Sequence, residues 1–178
     1  MSRVTDKILT NAARAGNCGR IRRALLNGSD PNACGKDRWT PLMFAAYNGH
    51  LETVRLLLDN GAMPDSRSLD GGSALYWAAS QGHSDIVLLL SKRGADINMV
   101  RTCKWTPLMA AIYNGHEGVA ILLVQAGARA DFEPYAGVSM FQWAVEHGRS
   151  HVADFLRRHK RSGRLNRRNS TARSQLSK

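Results

Sequence analysis

The sequence predicts an all-α solenoid of stacked helix–loop–helix units, and three observations predict it. Residue types recur in phase every 33 positions, hydroxyl residues stand where each unit's first helix must begin, and glycines stand where helices must stop. Gly16, Gly49, Gly82, Gly115 and Gly148 form one series; Gly28, Gly61, Gly94 and Gly127 form a second. Ala12, Ala45, Ala78, Ala111 and Ala144 form a third, and Leu9, Leu42, Leu75, Leu108 and Phe141 a fourth. Several series at one period mark a repeat architecture, in which neighbouring units supply the core that no single unit can bury alone.

Each element of the unit follows from its residues. Thr40, Ser73, Thr106 and Ser139 can accept from the orphan N–H groups of a helix start. Pro41 and Pro107 follow at the first helical position, where a missing N–H costs nothing. The first helix carries Leu42, Ala45 and Ala46, with alanines small enough to let helices approach closely. Asn48-Gly49 and Asn114-Gly115 end it, since glycine takes positive φ cheaply. The second helix is expected to turn inward Val54, Leu57 and Leu58, then Val87 and Leu90, then Ile121 and Leu122. Asn60-Gly61 and Arg93-Gly94 close it, and a loop of about a dozen residues leads to the next cap.

The segment from Asp37 through Arg38-Trp39-Thr40-Pro41-Leu42 to Asn48-Gly49-His50-Leu51 resembles the ankyrin repeat, as does Gly94-Ala95-Asp96-Ile97-Asn98 at a repeat end. The resemblance covers residues 4–160, with repeats at about 4–36, 37–69, 70–102, 103–135 and 136–160, followed by a basic tail at 161–178 expected to be disordered. It implies an ankyrin-repeat solenoid with short β-hairpin-like fingers, and partners held in a concave groove of fingers and inner helices. Met43, Tyr76, Met109 and Gln142 replace the family's TPLH histidine, leaving the usual inter-repeat hydrogen bond without its side chain. Ser73-Ala74 and Ser139-Met140 replace Thr-Pro, and Lys160 holds the last glycine position, which suits a capping final repeat.

A second, doubled period marks the groove. Trp39-Thr40-Pro41-Leu42-Met43 returns as Trp105-Thr106-Pro107-Leu108-Met109, and Tyr47-Asn48-Gly49-His50 as Tyr113-Asn114-Gly115-His116. By the resemblance, Trp39, Tyr47 and Asn48 face the groove in repeat two, and Trp105, Tyr113 and Asn114 in repeat four. Gly72, Ser80 and Gln81 lie between them. Tryptophan and tyrosine are enriched at interface hot spots, so these positions are the candidate partner-binding residues for an extended peptide or a domain surface. A two-repeat duplication whose aromatics merely cover neighbouring fingers is the competing reading. Trp77 and Trp143 are expected to be packing residues.

Catalysis is not expected, because no catalytic or phosphate-binding motif is present. No cofactor or metal is expected either. His50, His83 and His116 recur at the repeat step, about 8–10 Å apart on stacked helices, too far to share an ion. His147 and His151 straddle Gly148. Cys18, Cys34 and Cys103 are an odd number without CxxC spacing and read as free thiols. With no signal-like start and no long apolar run, a cytoplasmic or nuclear protein, monomeric by itself, is expected.

The net charge of +11 is uneven. Nine cations and no acid lie from Arg157 to Lys178, whereas residues 1–156 hold 16 cations and 14 acids. Electrostatic function is therefore expected of the tail, from Arg157, Arg158, Lys160, Arg161, Arg164, Arg167 and Arg168. Nuclear import, contact with RNA, DNA or an anionic lipid surface, and simple solvation all remain open for it. Arg167-Arg168-Asn169-Ser170 resembles a basophilic-kinase site, making Ser170 a candidate phosphosite. Two function classes follow: a protein-binding adaptor using the groove, and a nucleic-acid-associated subunit of a larger assembly tethered by the tail.

Overall fold

A computed structural model describes residues 2–131, 133 and 137–158. The chain falls into two compact units, Met1–Ala128 and Arg129–Lys178. The first holds four helix pairs: α1 (Ser2–Arg14) with α2 (Cys18–Leu26), α3 (Pro41–Tyr47) with α4 (Leu51–Asp59), α5 (Ala74–Gln81) with α6 (Ser84–Lys92), and α7 (Pro107–Asn114) with α8 (Glu117–Gln125). The second holds α9 (Met140–Glu146) and a helix over residues 150–158, α10.

The caps form as the hydroxyl series requires. Thr40, Ser73, Thr106 and Ser139 accept from the N–H groups of Met43, Tyr76, Met109 and Gln142. Ser139 and Gln142 complete a reciprocal capping box. Repeat one has Lys7-Ile8 where repeat two has Thr40-Pro41. Without a cap and proline to start it there, α1 begins upstream and is 13 residues long, against 7 for α3.

Inner helices stack in chain order, α1 on α3, α3 on α5 and α5 on α7, while α2, α4, α6 and α8 form the outer layer. Ala45, Ala46, Ala78, Ala79, Ala110 and Ala111 are fully buried in the inner layer. No larger side chain separates the helices there, so their backbones pack closely. In the outer layer Val54, Leu57, Val87 and Leu90 are fully buried, as their spacing predicts. Repeat four corrects the expected register. Ile121 and Leu122 are half-buried, whereas Ala120, Leu123 and Val124 are buried. These lie 66 positions beyond Val54, Leu57 and Leu58, so the repeat step carries the inward face to them. The leucine series also changes at its end. Leu9, Leu42, Leu75 and Leu108 are buried, but Phe141 is 37% exposed and Met140 takes the buried place beside it.

Histidine ladders tie successive repeats together. His50, His83 and His116 reach the carbonyls of Arg14, Tyr47 and Ser80 through Nε2 at 3.0, 3.0 and 3.1 Å. A carbonyl only accepts, so Nε2 carries the proton. The inter-repeat bond thus survives the loss of the TPLH histidine, whose replacements Met43, Tyr76 and Met109 are buried. In the first repeat Asn17 occupies this place and caps its own helix through Arg20 N–H instead. Asn32, Asp65 and Asn98 make a second set of links. Asn32 bonds Gly61 and Met63, Asp65 accepts from Asp96 N–H, and Asn98 donates to the Gly127 carbonyl.

The first glycine series serves this ladder twice. Gly49 has φ +78°, and a Cβ there would meet the His83 ring at 2.7 Å. Gly61 has φ +86° but faces open space. Gly61→Ala should cost the left-handed strain alone, about 1–2 kcal/mol. Gly49→Ala should add to that cost by displacing His83, and urea unfolding of the two variants measures the difference. Equal losses would remove the packing role assigned to Gly49.

Candidate functional site

The fingers between repeats are tight turns with a repeat of their own. Arg38, Gly71 and Lys104 donate their N–H to the carbonyls of Gly35, Ser68 and Arg101, three residues back. All three have positive φ (56°, 81° and 62°), as does Gly137 at 79°. Arg38 and Lys104 hold this left-handed conformation without glycine's freedom, at roughly 1–2 kcal/mol each. Successive fingers are bonded backbone to backbone, Leu69 N–H to the Asp37 carbonyl and Thr102 N–H to that of Asp70. Together with α3, α5 and α7 they present one continuous face in the first unit.

Trp39 and Tyr47 come together on this face, with ring centroids 5.8 Å apart, and so do Trp105 and Tyr113, at 5.2 Å. Both pairs meet nearly edge to face, an arrangement aromatic rings favour. Tyr47 is 38% and Tyr113 52% exposed, while Trp39 and Trp105 are half-buried. The two pairs are not equivalent. Trp39 also packs on Phe44 at 4.9 Å and on Trp77 at 4.7 Å, and Arg14 lies over Phe44 at 4.2 Å. Where repeat two has Phe44, repeat four has Ala110. Gly72 explains the missing finger aromatic of repeat three, because a Cβ there would stand 2.8 Å from the Trp77 indole. The bulk that repeats two and four place on the finger, repeat three places on its inner helix.

Asn48, Gln81 and Asn114 are exposed at the turn ends. Nδ2 of Asn48 and of Asn114 donates to the carbonyl of Phe44 and of Ala110, at 2.8 and 3.0 Å. Those acceptors fix the amide orientation, so each Nδ2 is engaged within its own helix. Ser80 departs from the expected exposed groove residue. It is only 7% exposed, and its hydroxyl donates to the Trp77 carbonyl of its own helix. Trp143, in the second unit, is buried as expected of a packing residue and stacks on His147 at 4.1 Å.

Sequence reasoning missed Arg101 and Asp70. Arg101 bonds the Asp70 carboxylate and donates to the Tyr76 hydroxyl at 2.9 Å. Its guanidinium lies over the rings of Tyr76 and Trp77. Asp70 also accepts from the Ser68 hydroxyl at 2.6 Å and from Gly72 N–H. Burial pushes the Asp70 carboxyl up, but these hydrogen bonds and the Arg101 charge outweigh it, so it titrates below its ordinary value. Asp70 and Arg101 lie on successive fingers, 31 positions apart, and only the stacking of those fingers brings them together.

Charge is sorted by layer in a way its near-zero sum conceals. The inner-helix segments 40–49, 73–82 and 106–115 carry no charged residue. The finger segments 33–39, 66–72 and 99–105 carry five cations and two acids. The outer segments 50–65, 83–98 and 116–128 carry six acids and three cations. The expectation that electrostatics belongs to the tail alone is therefore too narrow. Of the tail, Arg157 and Arg158 are exposed at the end of α10. Lys160, Arg161, Arg164, Arg167, Arg168 and Ser170 lie outside the described residues. Among the described residues no cluster of His, Cys, Asp and Glu could hold a metal ion, and no helix is long and apolar enough to cross a membrane. Cys34 and Cys103 are exposed free thiols on the fingers, and Cys18 is half-buried on α2.

Asp70 contributes stability that is present above its unfolded value near pH 3.9 and is lost as pH falls through its lower folded value. Arg101→Ala should lower stability at pH 7 by about 1–2 kcal/mol, since both partners are part-exposed, and flatten the loss of stability below about pH 4. Urea midpoints measured across pH for both proteins check it.

No curated protein matches the chain. A family model described as ankyrin repeats (3 copies) matches residues 9–101 and again residues 94–169. The repeat step, the capped helix pairs and this match agree: the chain belongs to the ankyrin-repeat family, whose repeats are generally protein–protein interaction modules.

Proposed function

We propose that the protein is a non-enzymatic adaptor that holds a segment of a protein partner across the fingers and inner helices of repeats two to four. The observation that carries this reading is the pair of exposed tyrosines, Tyr47 and Tyr113, each set against a finger tryptophan on a face with no charge along its inner helices. Such a face offers large, rigid contact area at little side-chain entropy cost, and its half-wet aromatics have apolar surface still to bury. Two repeat steps span about 20 Å, which corresponds to anchors about six residues apart on an extended chain. The absence of motifs for nucleophilic, acid–base or phosphate chemistry supports a binding role in preference to catalysis. Free thiols on two fingers suit the cytoplasm or nucleus, where such groups stay reduced.

The test uses peptides selected for binding to the folded full-length chain. Tyr47→Ala with Tyr113→Ala should weaken the selected peptides about tenfold or more while circular dichroism stays unchanged, because both side chains are exposed. Unchanged affinity in the double variant would sink the groove reading. Deletion of residues 161–178 separates the nucleic-acid reading: binding of a protein segment should survive it, whereas tail-borne binding should vanish and be salt-labile.

A further inference from the structure

We infer that the segment bound on this face is an acidic one, an extended peptide rich in Asp and Glu. The inference rests on the groove reading above and names the partner's chemistry. It starts from the sorting of charge by layer. Arg101 and Asp70 on the fingers neutralise each other. What remains exposed there is Lys36, Arg38, Arg67 and Lys104 against Asp37 alone. The outer segments of repeats two to four are opposite in sign, with Asp65, Asp85, Asp96 and Glu117 against Lys92 beyond the pairs Arg93–Asp59 and Arg55–Glu52, whereas α2 in repeat one carries Arg20, Arg22 and Arg23. Repeats two to four are thus neutral in sum and polar across their thickness.

Position makes the finger cations effective. Arg38 and Lys104 directly precede Trp39 and Trp105 in the chain, and both are exposed on the fingers that carry the aromatic pairs. Both cations occupy positive-φ turn positions that glycine takes in repeats three and five, at Gly71 and Gly137. A charge held there despite the backbone strain is placed where a partner passing over the tryptophan meets it. The inner helices of repeats two to four carry no charge, so counter-charge is not supplied from below. Carboxylates of an extended chain, with an apolar side chain seated at each tryptophan–tyrosine pair, match this arrangement.

The same geometry favours a polypeptide over a nucleic acid, although both are anionic. Asn48 and Asn114 are exposed with Nδ2 already donating within their own helices, and their Oδ1 atoms are acceptors suited to the N–H donors of a peptide backbone, which a sugar–phosphate backbone lacks. Trp39 is already packed against Phe44, Tyr47 and Trp77, so its ring is engaged within the protein instead of presented for base stacking.

The experiment selects a random dodecapeptide phage library against the full-length chain and against the variant Lys36→Glu, Arg38→Glu, Lys104→Glu. The basic tail is identical in both, so a difference between the two pools belongs to the fingers. The wild-type pool should be enriched in Asp and Glu around apolar residues about six apart. Its peptides should bind the variant about tenfold more weakly, and the loss should shrink at high salt. Glu→Gln versions of the same peptides should show a loss of similar size on the wild-type chain. A pool that is neutral or basic but still sensitive to Tyr47→Ala overturns the acidic partner and leaves the groove reading standing. A pool insensitive to both sets of substitutions overturns both. Displacement of the acidic peptides by oligo(dT) as effectively as by their own unlabelled copies overturns the preference for polypeptide.

Discussion

The glycine–histidine contact between neighbouring repeats is the constraint on which the other features depend. Gly16, Gly49 and Gly82, at positive φ, follow the first three inner helices, and the Cβ each lacks leaves the space that the next repeat's histidine ring fills. The histidine then bonds a carbonyl at the end of the preceding inner helix, as His83 does to Tyr47. One residue step thereby sets both the turn within a repeat and its spacing from its neighbour. Because the bonded carbonyl of one interface belongs to Tyr47, this ladder also holds in place a residue that lines the finger face.

On that scaffold the repeats differ by exchange of bulk. Repeat three moves its aromatic from finger to inner helix, pairing Gly72 with Trp77, and repeat four moves it back, pairing Trp105 with Ala110. A close-packed face accepts this because the summed volume changes little while its distribution does. The consequence is chemical. Trp77 becomes the point where Trp39 from one side and Arg101 from the other converge.

The charge pattern belongs to the same logic. Inner helices must approach one another through alanine pairs and can bury no unpaired charge without a large desolvation cost. Charged residues are therefore pushed to the two margins, the fingers and the outer layer, where water reaches them. Nothing in that argument dictates which margin takes which sign. In repeats two to four this sequence places cations mainly on the fingers and acids mainly on the outer segments, and that choice gives these three repeats, neutral in sum, a directed field.

The repeat step, the caps, the helix ends and the family were all legible in the sequence, since each depends on residue types at fixed local spacing: Thr40 before Pro41, Gly49 after Asn48, and their counterparts 33 residues on. The aromatic pairs were legible too, because their members lie eight positions apart within one repeat. What stacking alone decided was everything that joins residues about 30 or more positions apart. It put Arg101 on Asp70, 31 positions away, and brought His50, His83 and His116 onto carbonyls 36 positions away. It also carried the inward face of α8 to Ala120, Leu123 and Val124, because the repeat interface, and not the local hydrophobic pattern of that helix, selects which side is covered. A sum of charges could show that the body is nearly neutral; only the layered fold could show that repeats two to four are neutral by cancellation between fingers and outer segments.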